Sequence, residues 1–250
     1  MKARSALSLM LLSCLGIGAC SSPPEGGDAS PTPMSGEELL DAMIAFHDPQ
    51  GLWATSRLAL GLDESRPDGS VRKTSVFIDP LAGSTLIETQ RDGRDVSMSV
   101  SDAEVTATVD GRQPTPEEAE SLRLTPDQAT RMRNYYVYLY GLPMKLRDPG
   151  TLIDSEVRRT EVEGREALVL RVTYDPEVGG DTWLFYADPE TFEMFRYQFF
   201  HDESAGDGEY IVLEGLAEVG GLKLPAARTW FTNQGDELLG TDTIRETSTL

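Results

Sequence analysis

Apolar and polar residues alternate along most of this chain, and two stretches fall into helical spacing instead. Leu39, Leu40, Met43 and Ile44 share one face behind a Ser35–Glu38 capping box. Asp48-Pro49 ends that helix, because the residue before proline avoids the helical region. Leu58, Leu60 and Leu62 then alternate with smaller or polar residues, Pro67-Asp68-Gly69 is a turn, and Val71 to Ile78 returns as a strand. Arg91-Asp92-Gly93-Arg94 and Val109-Asp110-Gly111-Arg112 are tight-turn signals. Val96, Met98 and Val100, and then Val105, Ala107 and Val109, form stripes backed by serine and threonine, as half-buried antiparallel strands do.

Helical signals interrupt the strands at Thr115-Pro116-Glu117-Glu118 and again at Thr125-Pro126-Asp127-Gln128. The second helix carries Ala129, Met132, Tyr135, Tyr136 and Leu139 on one side and ends at Gly141-Leu142-Pro143. A long second run of strands follows. Leu168, Leu170, Val172 and Tyr174 line one face, while Trp183 to Tyr186 are apolar on both. Phe195, Tyr197 and Phe199 make an aromatic stripe, Ile211 and Leu213 alternate, and Leu222, Leu224, Ala226 and Trp230 share a face. A last strand spans residues 237 to 245. The order is a helix, about five strands, a helical insert and about seven strands, which predicts an α+β fold. Its centre is one large curved antiparallel β-sheet with helices on one side.

The first residues read differently. Lys2 and Arg4 precede an apolar run from Ala6 to Ile17, too short to span a membrane, and small residues close it. Residues 1–19 are therefore expected to be a signal peptide. Ile17-Gly18-Ala19-Cys20 resembles the bacterial lipobox, in which the cysteine thiol accepts a diacylglycerol. Two or three acyl chains on Cys20 would make a durable anchor. By resemblance to known sorting rules, Ser21 points to the outer membrane, facing the periplasm. Residues 20–34, rich in Pro, Gly and Ser, are read as the lipidated cysteine and its tether, and residues 35–250 as a single domain.

Charge narrows the partners. The net charge is −20, and the chain grows more acidic when Lys2 and Arg4 leave with the leader. Nucleic acid is excluded as a partner, because phosphate contacts need clustered cations. The lipid, rather than surface charge, would hold the protein at a membrane. Cys14 also leaves with the leader, so no disulfide is expected.

The order of elements resembles that of the bacterial lipoprotein carriers and receptors of the Lol (LolA/LolB-like) superfamily. Asp181-Thr182-Trp183-Leu184-Phe185-Tyr186-Ala187-Asp188-Pro189-Glu190-Thr191 looks like a strand-and-turn phrase of that superfamily, and Val219 to Pro225 looks like its strand entry. A closer likeness is to a family of exported bacterial proteins of unknown function (DUF6503-like). It is carried by His47-Asp48-Pro49, by Tyr138 to Leu146, by Phe200-His201-Asp202-Glu203 and by Gly208-Glu209-Tyr210-Ile211. The carrier resemblance implies an unclosed half-barrel of about 11–12 strands with helices on its concave side. It also implies a hollow that holds a lipid, an acyl chain or another hydrophobic ligand.

Two constellations are candidates for function. His47, Asp48, His201, Asp202, Glu203 and Glu209 offer imidazoles and carboxylates for zinc or for acid–base chemistry. No His-Glu-x-x-His spacing, nucleophile elbow or phosphate loop is present, so no metal or cofactor is assigned. The bland alternative is that His47 caps a helix and His201 ends a strand. The second constellation is apolar: Tyr135, Tyr136, Leu139, Trp183, Phe185, Phe195, Tyr197, Phe199 and Trp230 either line a ligand hollow or form plain core. The leading expectation is a monomeric, membrane-anchored envelope lipoprotein that binds a hydrophobic ligand. The alternatives are an envelope enzyme using the histidines and a non-enzymatic assembly factor.

Overall fold

In the computed structural model, residues 34–249 are described; the leader, Cys20 and the tether before Met34 lie outside the described residues. Helix α1 (Gly36–His47) begins at its capping box, with Ser35 and Glu38 exchanging backbone–side-chain hydrogen bonds, and buries Leu39, Leu40 and Met43. Its first residue has to be glycine. A Cβ there would lie 1.9 Å from the Asp154 carbonyl oxygen. Gly36→Ala is therefore expected to cost about 2 kcal/mol by overpacking, a fall in Tm of roughly 4–8 °C by thermal denaturation. An unchanged Tm would show that the contact yields freely.

The chain then meanders through β1 (Leu58–Ser65), β2 (Val71–Asp79), β3 (Ser84–Arg91), β4 (Arg94–Val100) and β5 (Val105–Val109). Helices α2 (Pro116–Ser121) and α3 (Pro126–Gly141) follow, both with the predicted proline in the first turn. The second meander runs through β6 (Thr151–Ile153), β7 (Arg158–Val162), β8 (Arg165–Tyr174), β9 (Thr182–Ala187), β10 (Met194–Phe200), β11 (Glu209–Val219), β12 (Leu222–Thr232) and β13 (Leu238–Thr249). The spatial order is β5-β4-β3-β2-β1-β13-β12-β11-β10-β9-β8-β6, with β7 also on β8. The last strand lies beside the first, antiparallel to it, so both halves of the chain join in one sheet.

A large antiparallel sheet with few helices agrees with the expectation, but the half-barrel of about 11–12 strands does not. The sheet has 13 strands and is not strongly curled; it stays open, with β5 and β6 at its ends. Alternation tells which face a residue takes, whereas curl depends on twist, tilt and bulges that leave no mark in an apolar–polar pattern. The helices lie over one face. Strand β7, exposed and polar over Arg-Arg-Thr-Glu, carried no alternation to read.

Leu39, Leu40, Ala129, Tyr136 and Leu139 from the helices pack with Leu58, Leu60, Leu62, Ile87, Met98, Phe185, Tyr197 and Ile211 in one core. Pairing of Val169 with Tyr186 and of Leu170 with Phe185 shows why β8 and β9 are apolar on both sides. Leu170 and Phe185 face the helices, while Val169, Leu184 and Tyr186 build a smaller cluster on the other face. Among the described residues, no helix is long and apolar enough to cross a membrane.

Candidate functional site

The helix-covered face carries a row of buried charge. Cross-strand register places Arg228 of β12 opposite Asp242 of β13, Asp242 opposite Glu64 of β1, and Glu64 opposite Arg72 of β2. Arg228 is only 1% exposed. It donates to the carbonyls of Pro225 at 3.0 Å and Leu139 at 3.4 Å, and its guanidinium lies 4.0 Å from the Tyr140 ring centroid. Glu64 accepts from Arg72 at 2.8 and 3.0 Å, from Tyr136 at 2.8 Å and from Thr74. Burial alone would raise the Glu64 carboxyl; the Arg72 hydrogen bond and charge, with Thr74 and Tyr136, outweigh it and hold it below the usual range. Among the described residues, Asp242 has only the Tyr135 hydroxyl, at 3.2 Å. Burial and then the Glu64 charge push it up to about 6.

At one end of this row the sheet and the helical segment enclose an open hollow of about 1400 Å³. The strand ends contribute Arg72, Thr89, Arg91 and Val96, and the α2–α3 segment contributes Leu122, Arg123, Arg131, Met132 and Tyr135. Arg91 donates to the Leu122 and Arg123 carbonyls, at 2.5 and 2.8 Å, and so ties that segment to β3. Burial, and then the like charges of Arg72 and Arg123, push the Arg91 guanidinium below its ordinary value.

The predicted aromatic set is largely one packed cluster under α3. Tyr135 stacks on Trp230 at 6.0 Å between centroids, Trp230 meets Tyr197 edge-on at 6.5 Å, and Trp183 lies 4.9 Å from Phe199 and 5.9 Å from Phe185. Tyr136 and Leu139 are buried in the same core. Of the predicted set, only Tyr135 lines the hollow. Phe195 leaves the group altogether: a register shift between Met194 and Arg196 turns it to the opposite face, where Arg165 sits 4.0 Å over its ring.

The histidines do not converge with the carboxylates into one site. His47 is buried, and its Nδ1 donates to the Lys223 carbonyl at 2.6 Å while its Nε2 accepts from the Met194 N–H at 3.1 Å. Both ring nitrogens are engaged with backbone, and burial pushes the imidazole down to about 4. Asp48 accepts from the N–H groups of Leu52 and Trp53 at 2.7 and 2.9 Å. His201 is exposed and pairs with Asp181 at 2.8 Å, a contact that pushes it up. Asp202 accepts from Ser204, Glu203 pairs with Arg171 at 2.9 Å, and Glu209 is raised by burial. Among the described residues, no group of three or more His, Cys, Asp or Glu could hold a metal ion.

Sequence reading passed over Arg228, Glu64 and Asp242, although a signal exists. Each occupies a core-facing position of an apolar stripe: Glu64 follows Leu58, Leu60 and Leu62, Arg228 falls between Leu224 and Trp230, and Asp242 precedes Ile244 by two. A charge on the core phase of a strand marks a buried, partnered charge.

An open antiparallel sheet roofed by helices also occurs in solved structures that this chain resembles in fold. A LolA superfamily protein from Nitrosomonas europaea matches with a TM-score of 0.52 at 10% identity, over 86% of this chain and 93% of that one. A Vibrio parahaemolyticus domain, provisionally named for outer membrane lipoprotein sorting, reaches 0.47 at 9% identity over 86% and 93% of the two chains. Residues 103–247 match the model of DUF6503, a family of unknown function, and the chain belongs to that family. No curated protein matches it by sequence.

Proposed function

We propose that this protein is an envelope binding protein, tethered through lipid on Cys20, that holds an acyl-bearing ligand in the hollow between α2–α3 and the strand ends. The observation that carries this reading is the open hollow of about 1400 Å³, with Val96, Leu122, Met132 and Tyr135 offering apolar wall. That volume lies above the range of roughly 300–1,000 Å³ usual for small-molecule sites. The likeness to the carrier fold supports the same reading. The aromatic residues under α3 act as scaffold in it, and Tyr135 is where scaffold and ligand wall meet.

The histidine enzyme has less to stand on, since His47 spends both nitrogens on backbone and His201 sits exposed with Asp181. Titration of the purified protein with a fluorescent long-chain fatty acid tests the binding reading. Saturable binding is expected, and Met132→Asp, which puts a carboxylate into the apolar wall, should weaken it about tenfold, ~1.4 kcal/mol. Circular dichroism of the variant checks that the fold is kept. No binding by the unaltered protein would contradict the reading.

A further inference from the structure

We infer that the hollow selects ligands bearing an oxyanion, a phosphate or a carboxylate, and that Arg66, Arg123 and Arg131 receive it. This deepens the proposed function and rests on the same hollow. The first ground is the distribution of charge. The chain as a whole is at −20, yet Arg66, Arg72, Lys73, Arg91, Arg123 and Arg131 all line this hollow. Its acidic lining residues are Glu88, Asp92 and Asp95.

The second ground is how the sheet sorts them. Register pairs Thr74 with Thr89 and Thr89 with Val96 on the helix-covered face, so Arg72 and Arg91 share that face. Glu88 and Asp95 fall on the alternate phase, as does Lys73. The helical segment adds Arg123 and Arg131 to the cationic side.

The third ground is the division of labour among the arginines. Arg72 is bound bidentately to Glu64, and Arg91 is committed to the Leu122 and Arg123 carbonyls. Arg66, Arg123 and Arg131 are exposed and form no salt bridge among the described residues. Like charges gathered at one hollow repel, and an anion between them would relieve that repulsion. Guanidinium forks match the geometry of phosphate and carboxylate oxygens, which makes arginine the fitting receptor. With its acyl part against Leu122, Met132 and Tyr135, a ligand would present its charged head to these three side chains.

Three probes test this: a lysophosphatidic acid, a monoacylglycerol of the same chain and inorganic phosphate alone, each measured on the unaltered protein and on Arg123→Gln/Arg131→Gln. The lysophosphatidic acid is expected to bind at least about tenfold more tightly than the monoacylglycerol, a preference that shrinks with salt. The double variant should lose most of that preference, weakening the lysophosphatidic acid far more than the monoacylglycerol. Equal affinity for the two amphiphiles, or a preference the variant does not alter, overturns the oxyanion site and leaves the acyl-binding reading standing. Binding of phosphate with neither amphiphile, lost in the variant, keeps the anion site, identifies free phosphate as its source and overturns the acyl reading. Binding of none of the three overturns both.

Discussion

Replacing Arg228 with alanine is expected to destabilise the protein by about 3–5 kcal/mol, the order for leaving a buried charge without its compensating neighbour. The reason lies in what the side chain leaves behind. Asp242 would face Glu64 across the sheet with no cation on its other side. The Leu139 carbonyl, in the last turn of α3, would lose a donor, as would that of Pro225. The Tyr140 ring would lose the guanidinium stacked on it at 4.0 Å. Urea denaturation measures the loss. Arg228→Ala/Asp242→Asn should recover part of it, because the second change removes the stranded charge. A loss below about 1 kcal/mol for Arg228→Ala, the range of exposed ion pairs, would mean that the row is not a buried network.

The second large effect concerns pH, and two buried groups act with opposite sign. His47 has its pKa lowered from 6.5 to about 4, so the unfolded chain binds more protons between those values. Its contribution is present above pH 6.5 and is lost as pH falls toward 4. Asp242 has its pKa raised from 3.8 to about 6, so the folded chain binds more protons in that interval. Its contribution to stability is present at the acid end and is lost as pH rises toward 6. Each is worth on the order of 2–3 kcal/mol by linkage, and in the unaltered protein they offset one another.

Asp242→Asn should therefore expose the His47 slope, with stability falling on acidification more steeply than in the unaltered protein. His47→Gln keeps a donor and an acceptor for Lys223 and Met194 and should expose the Asp242 slope, so that stability gains relative to the unaltered protein on acidification. Differences from the unaltered protein, taken by urea denaturation between pH 4 and 7, cancel the other carboxylates. Parallel curves for all three proteins would contradict the assignment.

Much of the fold was legible because its signals are local. Capping residues and first-turn prolines mark α1, α2 and α3, and stripes such as Leu58-Leu60-Leu62 and Val96-Met98-Val100 mark strands with one buried face. What escaped depends on geometry beyond a single strand. A bulge before Arg196 reverses the phase of Phe195, so an apparent three-aromatic stripe is split between two faces. Curl is a property of the whole sheet, which is why the half-barrel expectation failed while the antiparallel meander held. The hollow could not be read at all, since residues from β2 to β4 meet a helical segment some 30 to 60 positions further along the chain. The aromatics drew attention because they are large and dense, and their size makes them scaffold under α3 here. The arginines of the hollow looked like ordinary surface charge until the fold gathered them from distant positions at one place.

The central claim is that the hollow holds an acyl-bearing ligand, and native mass spectrometry of the purified protein with an added lysophosphatidic acid tests it most directly. The account predicts a saturable one-to-one adduct on the unaltered protein, much reduced in Met132→Asp at equal folded content. An absence of any adduct, or one of equal strength in the variant, would contradict it.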